Sequence, residues 1–368
     1  MRVAVKDCID IAGLPTRGGS RALEDASAAP VNAAVVDALL HADCTIVGKA
    51  NMHELAYGVT GINAWTGSPV NPLFPDRVPG GSSSGSAVAV AEGIVEFGIG
   101  TDTGGSIRTP AACCAVFGFK PTFGRVSREG AWPRRSSLDC IGPFARSMEM
   151  IEAAMAIIAP GYEPVPDVDP RYALVRVADV DPEVQAAFDE ALAGFAAPAG
   201  VHMLESLGEA FEANIAVIAA ETHAAFGHLA GRGLLGADVE ARLTAAAAVG
   251  PERLAWAEEV RERFGREVDA LLRDHHVLVL PTMPCFPIAL ADAGNAAAAL
   301  RMTALVRPFN LSGHPALTIP VRSGQGLPVG IQIIGRRDHD ETVCAMGRML
   351  ARELGDKVVR TRKEEELR

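Results

Sequence analysis

The sequence predicts an α/β fold. Short runs rich in Val, Ile and Leu recur along 368 residues, and stretches with helical periodicity stand between them. Hydrophobic residues make up 49% of the chain, enough to bury a large core as one big domain or two small ones. Thirty-seven glycines and 24 prolines supply the many turns that such alternation needs.

Taken in order, residues 3–5 (Val-Ala-Val) read as a buried strand that delivers Lys6 at its end. Only five of the 34 basic residues are lysines, so a lysine closing an apolar run is less casual here than usual. The competing reading is a snorkelling strand-end lysine. Residues 32–42 have helical periodicity, 45–48 read as a strand and 51–57 as a short helix. Residues 58–79 form a loop rich in Asn, Gly and Pro. A Ser-rich start opens a helix over 86–92, and 94–99 read as a buried strand. Residues 149–158 are a helix and 159–169, rich in Pro and Asp, a linker. Residues 181–274 are Ala-rich amphipathic helices with Gly stops. Strands follow at 277–280, 316–320 and 329–334, with a turn at 327–328 and a final helix over 342–354. The segment from about 160 to 275 is thus expected to be a helical cover.

Charge and composition exclude several classes. A net charge of −11 argues against a nucleic-acid surface, which would be basic. No run of 18 apolar residues suggests a membrane span. Met1-Arg2-Val3 runs straight into the first strand, with no signal-peptide pattern. The seven cysteines are odd in number and lack metal spacing, and His53-Glu54 has no second His at helical distance. A reduced, cytoplasmic setting with no metal and no cofactor is the expectation.

Two Gly/Ser clusters, at 80–86 and 101–106, flank the helix and strand between them. Gly/Ser runs are usually linkers, but linkers do not alternate this tightly with packed elements. Three catalytic readings compete. Gly81-Ser82-Ser83-Ser84-Gly85 matches the G-x-S-x-G elbow with Ser83 as nucleophile, yet turn residues rather than a strand precede it. Gly98-Ile99-Gly100 follows a strand, but Thr103 stands where a dinucleotide fingerprint needs Gly. The third reading is a Ser/Ser/Lys hydrolase, with lysine in place of the usual histidine.

The motifs GGSSSGSA, GTDTGGSIRTPAA and GFKPTFGRVS closely resemble the amidase signature family of serine hydrolases. So do AVKDCIDIAGLPTRGGS, VGKANMHELAYG, SLDCIGPFARS and FNLSGHPALTIP with GLPVGIQIIG after it. The resemblance covers about residues 3–150 and 277–352. It implies one domain over residues 1–368, built on a central mixed sheet between helical layers. Ser106 in TDTGGSIR matches the family nucleophile, Ser82 the bridging serine and Lys6 the base. The peptide before the bridging serine is implied to be cis. Thr103, Gly104, Gly105 and Ser106 would hold the oxyanion through backbone N–H groups, the glycines leaving the approach open. Ser83 would hydrogen-bond Lys6, with Gly81 shaping the same loop. Ser84 departs from the commoner glycine.

Asp102 and Arg108 flank the nucleophile loop, either binding substrate or clamping the loop. Met52 and Trp132 are placed at the pocket wall, with ordinary core as the competing reading for Met52. Arg134 and Arg135 are either solvated or read a substrate carboxylate. The implied activity is hydrolysis of a small carboxylic amide to acid and ammonia or amine. The alternative is a partner-dependent amidase subunit of an amidotransferase or of a multi-subunit amidohydrolase. A homodimer or a small partner subunit is the partner expectation.

Overall fold

The computed structural model describes residues 1–359. Ten strands form one sheet: β1 (Arg2–Lys6), β2 (Thr45–Ala50), β3 (Phe97–Asp102), β4 (Phe117–Lys120), β5 (Cys140–Ala145), β6 (Tyr172–Val175), β7 (Gly200–His202), β8 (Val277–Pro281), β9 (Ala316–Arg322) and β10 (Pro328–Gly335). Their order is β2-β1-β3-β5-β4-β9-β10-β8-β6-β7. β1 is parallel to β2 and β3 at one end, and β6 is parallel to β7 and β8 at the other. The ladders from β3 through β5, β4, β9 and β10 to β8 are antiparallel.

The sheet is mixed and covered on both faces, so its strands are near-continuous apolar runs that still sort by period 2. Val3, Val5, Phe97, Ile99, Val277 and Val279 join one core, shared with helices Ala34–His41, Met148–Ile158, Pro182–Leu192 and Asp340–Leu354. Leu278 and Leu280 turn to the opposite face, under helices Leu207–Phe226 and Pro251–Asp274. Ala4 and Phe144 face helix Ser84–Ala91. Gly98 and Gly100 let that helix and its lead-in loop lie close to β3. A Cβ would come within 2.9 Å of the Ser86 carbonyl oxygen at 98, and within 2.8 Å of Ser83 Oγ at 100.

Several elements differ from the expectation. The strand placed at 94–99 is β3, three residues later, because pairing with β1 sets its register: Val3 faces Phe97 and Val5 faces Ile99. The short helix at 51–57 is only a 3-10 turn, Glu54–Ala56, with Leu55 at φ 52°. Its donors are taken elsewhere: His53 N–H donates to the Ser82 carbonyl at 3.0 Å and Leu55 N–H to the Gly18 carbonyl at 2.7 Å. The turn before β10 closes through Ser323 N–H to the Leu327 carbonyl at 2.9 Å, so Pro328 begins the strand. Strands β6 and β7 fall within the segment read as purely helical, and they extend the sheet at its β8 edge. The segment read as a linker is tied down by Arg348, whose Nη2 donates to the Val165 carbonyl at 2.7 Å. Among the described residues no helix is long and apolar enough to cross a membrane.

Candidate active site

Lys6 ends β1 with its side chain fully buried. Its Nζ donates to Ser82 Oγ at 2.7 Å and to Thr101 Oγ1 at 2.8 Å. Burial pushes its pKa below the ordinary lysine value, against the opposing pull of Cys8, Asp139 and Asp102. Ser82 is fully buried, and the Gly81–Ser82 peptide is cis. Gly81 admits no side chain, since a Cβ would come within 2.8 Å of the Gly61 nitrogen.

Ser83 does not bond Lys6 as expected. Its hydroxyl donates to the Thr101 carbonyl at 3.1 Å and accepts from the Thr101 N–H at 3.3 Å, pinning the serine loop to β3. The lysine's second partner is the hydroxyl of Thr101, which stands in the GTDTGGSIRTPAA motif but to which the sequence assigns no role. Ser83 N–H also donates to the Ser106 carbonyl at 3.3 Å, which ties the two Gly/Ser loops together. The Ser84 hydroxyl is buried with no hydrogen-bond partner among the described residues.

Ser106 is 7% exposed, just past the end of β3. The loop that carries it folds around Asp102. That carboxylate accepts from the N–H groups of Gly105 at 2.7 Å, Ile107 at 3.1 Å and Arg108 at 3.3 Å. It also receives Arg108 Nε at 3.0 Å, Arg108 Nη2 at 2.9 Å and Asn310 Nδ2 at 2.8 Å. Burial alone would raise the Asp102 pKa, but Arg108, with Asn310 and the more distant Lys120, holds it well below the usual carboxylate range. Arg108 is committed too, donating to the Val306 carbonyl at 2.9 Å and to Gln332 Oε1 at 2.7 Å. The pair is therefore a loop clamp.

This geometry corrects two expectations about the loop. The Gly105 N–H is spent on Asp102, which leaves Thr103, Gly104 and Ser106 as the amides of that set with no hydrogen bond to another described residue. The glycine at 105 answers to packing and conformation: its φ is +104°, and a Cβ would lie 2.2 Å from Val306 Cγ2.

Asp102→Asn leaves the Arg108 charge buried and unpaired. It is expected to cost about 3–5 kcal/mol in urea unfolding at neutral pH, and a loss under about 1 kcal/mol would contradict the clamp. Because the native pKa lies below the unfolded value of about 3.9, this stabilisation is present above that value. It is lost as pH falls through the native pKa.

Met52 and Trp132 lie in the wall of one cavity of about 470 Å3, with Leu55, Phe226, Asp10 and Arg134. Lys6, Ser82 and Ser106 are not in that wall. Cys8 is, and its sulfur lies 3.8 Å from the Thr101 hydroxyl, so the cavity abuts the lysine's partner. Trp132 is 37% exposed and donates to Asp10 Oδ1 at 3.1 Å. Arg134 pairs with Asp10 Oδ2 at 2.6 Å and stacks on the Trp132 ring at 4.1 Å. It is thus neutralised within the chain.

Residues 1–344 match the family model described as Amidase. The chain is 34% identical to a subunit of the glutamyl-tRNA(Gln) amidotransferase of Halobacterium salinarum, covering 93% of this chain and 92% of the relative. It is 36% identical to the corresponding subunit from Deinococcus radiodurans, over 94% of this chain and 82% of the relative. Among solved structures, one described as an amidase aligns with a TM-score of 0.86 at 34% identity, covering 96% of this chain and 85% of that one. Another, described as a vestigial protein complex that reveals the evolutionary origins of an s-triazine catabolic enzyme, aligns with a TM-score of 0.89 at 28% identity. That alignment covers 98% of this chain and 85% of the other.

Proposed function

This chain belongs to the amidase family and is an amidohydrolase-type enzyme acting on C–N bonds; from that premise we propose that it cleaves a carboxylic amide through an acyl-enzyme on Ser106. The observation that carries the reading is the buried Lys6–Ser82 hydrogen bond of 2.7 Å beside the Ser106 loop. A desolvated lysine is available as a neutral base. It takes the Ser82 proton as Ser82 takes that of Ser106, whose oxygen attacks the carbonyl carbon. The amides of Thr103, Gly104 and Ser106 then face the developing oxyanion. The C–N bond breaks, the relay returns the proton to the leaving nitrogen, and water releases the acid by the same route.

The relatives named as amidotransferase subunits favour a role as the amidase subunit of a larger assembly. The solved structure described as an amidase, at 34% identity, is equally consistent with the other reading, a free-standing hydrolase of small amides. Ammonia release from a panel of primary amides, measured on the purified chain and on the chain as isolated with any bound partner, separates the two. Full activity of the chain alone would refute the subunit role. Activity that appears only with a second chain would refute the free-standing one. Failure of a fluorophosphonate to label Ser106 in either preparation would overturn the serine mechanism itself.

A further inference from the structure

Arg307 is a cation with no place in the relay. It is 9% exposed and opens the short helix Arg307–Leu311. Its Nε donates to Thr303 Oγ1 at 2.8 Å and its Nη1 to Asn214 Oδ1 at 3.1 Å, while Asn214 Nδ2 donates to the Thr103 carbonyl at 3.3 Å. The Phe211 ring lies 6.0 Å from the guanidinium carbon. A Cβ built on Gly104 would come within 2.9 Å of Arg307 Nη1, so the guanidinium covers the peptide two residues before Ser106. These partners are neutral, and among the described residues no carboxylate pairs with Arg307.

The acids whose charges act on it, Asp102 and Glu212, are already engaged. Asp102 is held by Arg108, and Glu212 lies 3.7 Å from Arg253. Burial and the neighbouring Arg242 lower the Arg307 pKa, to about 10. Its Nη2 makes no hydrogen bond to any described residue. Burying an unpaired charge is costly, and buried ionisable groups with perturbed pKa values cluster at functional sites. A guanidinium fixed at Nε and Nη1 with Nη2 open is pre-organised for an anion beside the nucleophile loop.

We propose that Arg307 is a specificity-determining residue that binds a carboxylate carried by the amide substrate, so that the enzyme prefers short acidic amides over neutral ones. The inference rests on the amide-hydrolysis reading above. The test compares kcat/KM for succinamic acid and glutaramic acid with that for butyramide and pentanamide. Wild type is expected to favour the acidic pair. Arg307→Met is expected to lower the acidic-to-neutral ratio by about 10- to 100-fold, the range for a hydrogen bond to a charged group, mainly through KM, and Arg307→Lys to restore part of it.

Equal use of both pairs by wild type, or an unchanged ratio in Arg307→Met, overturns the proposal. Where Arg307→Met does not fold, the wild-type ratio decides, together with protection of Ser106 from a fluorophosphonate by succinate but not by butyramide. Labelling of Ser106 with no acidic preference and no succinate protection sinks the anion site and leaves the serine mechanism standing. Absence of labelling removes both.

Discussion

Ser106→Ala is expected to remove turnover of every amide substrate, by roughly 10⁴- to 10⁶-fold, because no other group can take over covalent attack once the nucleophile is gone. Fluorophosphonate labelling should vanish with it, while the fold survives. The hydroxyl makes no hydrogen bond to another described residue, and the loop is held by Asp102 through the backbone of Gly105, Ile107 and Arg108. The informative comparison is Ser83→Ala. The Ser83 hydroxyl is spent on both backbone groups of Thr101, so its loss loosens the serine loop but removes no reacting atom. Near-normal turnover in Ser106→Ala with turnover lost in Ser83→Ala would install Ser83 as the nucleophile.

Lys6→Ala is the second large effect. Loss of general-base assistance is worth roughly 10²- to 10⁴-fold in rate. The amine must be neutral to accept a proton, and burial holds its pKa below the usual lysine value. The wild-type rate should therefore rise with pH as Lys6 loses its proton, with an apparent pKa below about 10.4. In Lys6→Ala that limb should disappear.

Thr101→Val gives the complementary result. Thr101 Oγ1 accepts a hydrogen bond from Lys6 at 2.8 Å, which favours the charged form. Removing it should move the limb to lower pH and lower kcat by about 10-fold. Matching pH–rate profiles for wild type and Lys6→Ala would reduce Lys6 to an ordinary buried strand-end lysine.

The sequence by itself determined the parts whose signal is local. Val3-Ala4-Val5, the run at 277–280 and the alternation at 329–334 announce strands because β-branched and aliphatic residues sit at the right period. Lys6, Ser82 and Ser106, the proposed relay, each stand in a motif that the sequence displays, and the fold brings Lys6 onto Ser82 and the two serine loops together. β4 and β5 were not legible. They read FGFK and CIGPFA, short and broken by Gly and Pro, and Pro143 sits opposite Ile99 deep in the sheet. Such segments become strands only because neighbours far along the chain are already extended beside them.

The same reason governs the site's finer parts. Thr101 reaches Lys6 across 95 residues, Asn214 reaches Arg307 across 93, and Arg307 covers Gly104 from a helix that no spacing near the nucleophile anticipates. Local pattern names the candidate reacting side chains. Which donor each partner takes, which amide stays free and which charge is left unpaired are decided by packing, because burial forces every polar group to find its partner wherever the fold brings one.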